Sequence, residues 1–293
     1  MPTLPSRRRL LSTLLGGAAG QALSARAPIP VLVPADVLRD FRAFLGGRRA
    51  EQLTSFAGAH SRRDVVELAL LHLALAEGRR EAGLALQPVP TAARLHRELS
   101  QAHAACSGTS FWRQDFPADE HRLLFSVALL QDGEFEAGLY TAAGNRRALA
   151  ARSLADVLAL KAMCNRDWRV DWQSLEQLGL RDIQHVGNWE LMPRMLASGR
   201  ADFVLAPFQP TPDLALEVGG VRLVPIPGLK VALQGTRHYL LSAQHEGAPE
   251  LKQRLDAGLA SLRARGLVRR AYVGAGFINA AVAAWSVLPV LER

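Results

Sequence analysis

The sequence predicts an α/β fold with residues enough for two lobes. Three observations predict it. Residues 181–209 (RDIQHVGNWELMPRMLASGRADFVLAPFQ) read as a complete strand, helix, strand unit, which needs a right-handed crossover between parallel strands. Residues 201–206, ADFVLA, are apolar enough for a buried central strand. The 293 residues, 49% hydrophobic and 21% charged, suffice for two cores of ordinary domain size and carry no disordered bias.

Taken in order, residues 29–33 (IPVLV) form the opening strand, and Val37, Phe41 and Phe44/Leu45 fall at helical spacing over 36–45, with Asp36 as N-cap. Residues 64–76, DVVELALLHLALA, make a strongly apolar helix stopped by Gly78. A strand over 82–86 leads into Pro88 and Pro90. Thr91 then caps a helix over 91–104 with Ala92, Leu95, Leu99 and Ala102 on one face. Residues 107–112 form a strand ending at Phe111 and Trp112. HRLLFSVALLQDGEFEAGLYT gives two extended runs around Gln131, Asp132 and Gly133, the second a strand over 134–141. A helix around Leu154, a strand over 160–164 and a helix over 172–178 follow.

Within the 181–209 unit, 183–186 is a short strand and Gly187 and Asn188 are turn residues. Trp189, Met192 and Leu196 share a helical face, Pro193 sits in the first turn where its missing N–H costs nothing, and Gly199 ends the helix. Pro207 stops the second strand. Short strands at 223–227 and 230–234, a strand at 237–242 and an amphipathic helix over 249–265, with Leu251, Leu255, Gly258/Leu259 and Leu262 inward, complete the chain.

The formal charge of +8 is not a nucleic-acid signature. Half of it comes from Arg7, Arg8, Arg9 and Arg26 in residues 1–27, which hold no acid, and the other arginines are scattered rather than interleaved with aromatics. Residues 1–27 read instead as an export signal: a basic start, an apolar stretch over 10–23 too short to span a bilayer, and small residues at Ala22, Ser24, Ala25 and Ala27 for cleavage. Cys106 and Cys164 are far apart and expected as free buried thiols, with a disulfide the lesser alternative. His72, His96 and His103 do not cluster at metal-ligand spacing, and no cofactor motif, Cys-pair metal site, Ser-His-Asp elbow or phosphate-binding Gly loop is present.

LASGRADFVLA resembles the Gly-Arg-x-Asp segment in the second lobe of bacterial periplasmic solute-binding proteins of family 3, the amino-acid type, with the type 2 periplasmic-binding-protein fold. HRLLFSVALLQDGE resembles the Phe-Ser-x-Pro-Tyr segment ahead of their first hinge strand, and ELKQRLDAGLASLRARGLVRRAY their closing helix. The resemblance covers roughly residues 64–285 in element order. It implies a two-lobed α/β fold, each lobe a mixed sheet flanked by helices, with two hinge crossings: lobe 1 over 28–134 plus 236–293 and lobe 2 over 135–235. It also implies a monomer that closes on a small-molecule ligand in the periplasm and serves an inner-membrane permease of the ABC type, or a membrane sensor. Ser6-Arg7-Arg8-Arg9-Leu10-Leu11 resembles the twin-arginine export signal, with Leu at the usual Phe position and Ser12 where Lys is usual; general or twin-arginine export both stay open.

Ligands of open α/β sheets bind outside the carboxyl ends of the strands. The candidate binding residues are therefore Phe111, Trp112 and Arg122 from the first lobe. From the second they are Asn165, Arg166 and Trp168, then Asn188 and Trp189, then Phe208 and Gln209. Trp and Phe offer stacking faces, Asn and Arg donors for carboxylate, hydroxyl or amide groups; core packing is the competing reading for each aromatic. The family's amino-acid clamp is missing. Its carboxylate-binding Arg falls on Asp119, and Pro207 and Phe208 follow the strand where an ammonium-binding Asp is usual, so the expected solute is not a standard α-amino acid. Some proteins of this fold are dehydratases, and Glu190 and His185 beside the 187–189 loop are the acid and base such a role would use.

Overall fold

The computed structural model describes residues 27–77, 83–116 and 121–289. The export segment ahead of Ala27, the Gly78 stop and Asp119 lie outside them. The chain opens with β1 (Ile29–Pro34) and α1 (Ala35–Leu45), then α2 (Arg63–Ala76), β2 (Leu84–Val89), α3 (Ala92–Ser100), β3 (Cys106–Trp112) and β4 (Leu123–Phe125). It continues through β5 (Phe135–Ala142), α4 (Arg146–Leu149), α5 (Leu154–Leu158), β6 (Ala162–Cys164), α6 (Arg169–Gln177), β7 (Ile183–His185), α7 (Met192–Ala197), β8 (Phe203–Pro207), β9 (Leu216–Val218) and β10 (Val221–Leu233). β11 (Arg237–Ser242), α8 (Ala248–Ala264), α9 (Leu267–Gly274) and β12 (Ser286–Val287) complete it.

Two mixed sheets result, and they repeat one pattern. The first has the order β2-β1-β3-β11-β4 and the second β7-β6-β8-β5-β10-β12, with β9 on β10. In each, three parallel strands are followed by one antiparallel strand that has arrived from the other sheet: β5 in the second, β11 in the first. The two crossings bond to one another, Leu129 N–H to Arg237 O at 2.8 Å, Arg237 N–H to Leu130 O at 3.0 Å and Gly133 N–H to Leu233 O at 3.0 Å. The C-terminal segment crosses back as well. β12 pairs in parallel with β10, Leu288 N–H bonds Lys230 O at 2.8 Å, and Asn279 Nδ2 donates to Gln209 O at 3.1 Å.

Several boundaries move for physical reasons. Pro34 takes the N-cap of α1 without a side-chain bond, and Asp36 instead occupies the first turn, where it faces the positive helix end and pairs with Arg62 at 2.8 Å. Thr91 does cap α3, accepting from Arg94 N–H at 3.2 Å, but the helix stops at Ser100 because Ala102 turns left-handed at φ 58°. Pro88 is accommodated inside β2 because β2 is an edge strand and Pro88 is paired on one side only, with Val33. The two short strands read at 223–227 and 230–234 are one strand, β10, interrupted by a register shift between Pro225 and Lys230. α6 begins at Arg169 rather than Trp172, which brings Asp171 into its first turn.

α2 is the central packing element of the first lobe. Val65 to Leu71 are all buried, Glu67 among them, and helix α8 crosses it so closely that a Cβ on Gly258 would lie 2.0 Å from the Ala74 carbonyl oxygen. Gly258→Ala must therefore push two helix backbones apart. The helix propensity gained is smaller than the overpacking cost of about 1–3 kcal/mol, so the midpoint of thermal unfolding is expected to fall by several degrees.

Candidate functional site

The floor of the site lies at the carboxyl edge of the first sheet and is polar although it is buried. Arg63 and Glu67 stand one turn apart at the start of α2, and Glu67 is fully buried, accepting from Arg63 Nη1 at 2.8 Å. Its two oxygens also take Ser110 N–H at 2.9 Å, Ser110 Oγ at 2.7 Å and Tyr272 Oη at 3.2 Å, while Tyr239 Oη donates to the Glu67 carbonyl. Burial, and then the Glu67 charge, hold both phenols well above their ordinary pKa. Arg237, the first residue of β11 and the register partner of Trp112, donates through Nε to Ser110 Oγ at 3.0 Å and through Nη2 to Ser110 O. Its guanidinium lies 4.8 Å from the Trp112 ring centroid.

Beyond Trp112 the chain makes a 3-10 turn, Arg113–Asp115, which packs on α6 of the second lobe. Asp115 faces the backbone N–H of Arg169 at the start of that helix, where Trp168 occupies the N-cap without a side-chain bond. An acid at that point complements the positive end of the helix. Burial nevertheless dominates, pushing the Asp115 carboxyl up to about 6 and that of Asp171, in the first turn of α6, up to about 7.

The second lobe contributes a rim at its strand ends. After β6, the buried Asn165 accepts Asp167 N–H at 3.0 Å and donates to Gly187 O at 3.3 Å, tying this loop to the one after β7. Arg166 N–H donates to His185 Nδ1 at 3.2 Å, and its guanidinium lies 5.1 Å from the Trp172 ring. Trp168 and Trp189 approach to 6.1 Å between centroids, and both are half-buried. Asn188 caps the 3-10 turn Trp189–Leu191 by accepting Glu190 N–H at 2.8 Å. Glu190 itself is exposed.

Five of the residues proposed from sequence, Asn165, Arg166, Trp168, Asn188 and Trp189, thus gather on one rim. The others are placed differently. Trp112 is buried under Arg237 and against Phe135, at 5.1 Å. Phe111 points to the opposite face of the sheet, edge-on to Phe116 at 6.0 Å. Arg122 lies at the far end of the sheet, where its carbonyl accepts Ala243 N–H, because β4 runs parallel to β3 and Arg122 precedes it. Phe208 is core: it packs on Gly138, where a Cβ would come within 2.8 Å of its ring, and on Trp285 at 5.5 Å. Gln209 bonds back to Pro207 O and is held by Asn279. Sequence reasoning passed over Glu67, Ser110, Asp115, Asp171 and Arg237. The one local signal for them was Glu67, a single acid inside VVELALL, since a buried carboxylate needs partners.

A separate cavity of about 700 Å³ opens on the hinge side, between the crossings and α8/α9, lined by Leu130, Glu134, Lys230, Arg263 and Phe277 among others. It shares no lining residue with the rim. Among the described residues no group of three or more His, Cys, Asp or Glu is placed to hold a metal ion. Cys106 and Cys164 are both free and buried, and no described helix is long and apolar enough to cross a membrane.

Two sheets of matching order, joined by strands exchanged between them and presenting their carboxyl edges to one another, define the two-lobed type 2 periplasmic-binding-protein fold. Solved structures share it. The Bordetella pertussis BvgS periplasmic VFT2 domain aligns over 84% of this chain and 92% of its own at a TM-score of 0.56 and 16% identity. A probable amino-acid ABC transporter extracellular-binding protein from Bacillus subtilis aligns over 85% and 97%, also at 0.56, with 15% identity. No protein-family model and no curated protein matches the sequence.

The floor is testable by itself. Glu67→Ala leaves Arg63, Ser110 and Tyr272 facing a void, and removing one partner of a buried ion pair costs about 3–5 kcal/mol. A clear drop in the denaturant midpoint is expected, with Glu67→Gln intermediate because it keeps acceptor capacity for Ser110.

Proposed function

We propose that the protein is an exported solute-binding protein that captures a small polar or aromatic-bearing solute between its lobes, taken as 28–134 plus 236–293 and 135–235. The observation that carries this is the rim of Trp168, Trp189, Arg166 and Asn165 at strand ends of the second sheet, across from the Arg113–Asp115 turn of the first. Two indole faces and amide and guanidinium donors suit a planar or aromatic body with an oxygen-bearing group. The absence of the amino-acid clamp from the sequence, and the burial of Phe208, support a solute other than a standard α-amino acid. The captured solute goes to an inner-membrane permease of the ABC type.

Ligand sensing through a membrane partner is the second reading. The likeness to a periplasmic VFT2 domain supports it as much as the likeness to an extracellular-binding protein supports uptake. Catalysis is the weaker reading, since His185 Nδ1 is already occupied by Arg166 N–H and Glu190 is exposed.

Thermal unfolding of the mature protein against amino acids, peptides, organic acids, amines and aromatic acids tests the binding reading. A solute present at 100 times its Kd stabilises the folded state by about 2.7 kcal/mol, a shift of several degrees. One chemical class is expected to give that shift in the wild type and to lose it in Trp189→Ala and Arg166→Ala. A flat panel from well-folded protein rejects solute capture.

A further inference from the structure

The cavity on the hinge side is built from the pieces of chain that join the two sheets. The first crossing supplies Leu130, β10 supplies Lys230, α8 supplies Arg263, α9 supplies Arg269 and Tyr272, and the segment between α9 and β12 supplies Phe277. Its volume of about 700 Å³ suits a small organic molecule.

The walls are apolar and fixed. Phe277 stands edge-on to Phe135 at 4.7 Å and tilted on Tyr272 at 5.1 Å, and Tyr272 is held in turn by its hydroxyl on Glu67 at 3.2 Å. At the mouth, Val273 on α9 is 48% exposed, apolar surface that a ligand would take out of water.

The charges around the cavity do not balance. Lys230 is engaged by Glu136 at 2.8 Å and by the Val282 carbonyl at 2.9 Å. Arg263 donates through Nη2 to the Ala128 and Leu129 carbonyls at 2.9 and 2.7 Å, with Nη1 at 3.9 Å from Glu134. Arg269 is exposed and has no hydrogen bond or ion pair among the described residues. Three cations thus line the cavity against two carboxylates, and the unmatched one stands one helical turn before Val273, on the same face of α9.

From this arrangement we infer that the cavity is a second binding site, which takes a hydrophobic carboxylate: the apolar body lies on Leu130, Val273 and Phe277, and the acid group pairs with Arg269. A neutral molecule of the same shape leaves that guanidinium unmatched, and an amine meets an excess of positive charge. The site stands apart from solute capture, since it shares no residue with the rim. Its occupant touches the first crossing, β10 and the segment leading to β12 together, so it bears on the joint between the lobes.

Isothermal titration of the mature protein with octanoate, with 1-octanol as the uncharged control, tests the site. The wild type is expected to bind octanoate saturably and 1-octanol about tenfold more weakly, the value of one charge-assisted contact. Arg269→Glu is expected to weaken octanoate by about tenfold or more and to leave 1-octanol unchanged. Ala283→Trp, which fills the cavity from an exposed position, is expected to abolish both, with circular dichroism confirming that each variant folds. On octanoate addition, amide hydrogen exchange is expected to slow over 129–134 and 277–288 and to stay unchanged over 165–168 and 188–189. Absence of saturable binding, octanoate affinity that survives Arg269→Glu or Ala283→Trp, or protection at the rim in place of the joint would overturn the site. Trp189→Ala separates the two readings, because it is expected to lose solute capture and to keep octanoate binding.

Discussion

The buried Glu67 carboxylate is the group on which the cleft face of the first lobe depends. A carboxylate with no exposure to water is tolerable only when its oxygens are filled, and here an i,i+4 guanidinium, a backbone N–H, a serine hydroxyl and a tyrosine hydroxyl fill them. These partners come from α2, β3 and α9, and Ser110 passes the connection to Arg237 on β11. One charge thus fixes the relative positions of a helix near the start of the chain, the central strand, the returning strand and the closing helix. The turn that meets the second lobe follows directly from the strand so fixed.

Local patterns carried most of the fold. The 181–209 unit was legible because its strand, turn, helix and strand each announce themselves within a few residues, down to Pro193 in the first turn of α7 and Gly199 beyond its end. The rim residues could be set at strand ends for the same reason: Asn165 and Arg166 directly follow the apolar β6, and Asn188 and Trp189 follow the turn after β7. Errors arose where a long-range partner decides the outcome. β10 reads as two strands until β5 is seen to pair across the irregularity at Pro225, and β12 has no periodicity to read because two residues suffice when an open strand edge is waiting.

The acids and the arginine at the lobe contact were illegible for a related reason. Asp115, Asp171 and Arg237 are ordinary charged residues in ordinary local settings, and their surroundings are supplied by residues about 50 to more than 120 positions away. Phe208 shows the converse. Its place after a central strand suggests a cleft position, but the missing side chain of Gly138 on the neighbouring strand offers it a better one in the core. Burial of a whole ring outweighs a contact with solvent-exposed solute.

The return of the C-terminal segment to the second sheet gives the hinge a third strand of chain. Two crossings bonded to each other already act as a ribbon that twists more readily than it splays, and the strap from α9 through Asn279 and Trp285 to β12 spans the same side. Such a joint narrows the range of separations and orientations the lobes can sample. Bringing them together then surrenders little orientational freedom, because most of it was removed when the chain folded. Closure of the lobes on a solute would accordingly cost less than closure between two freely tethered bodies.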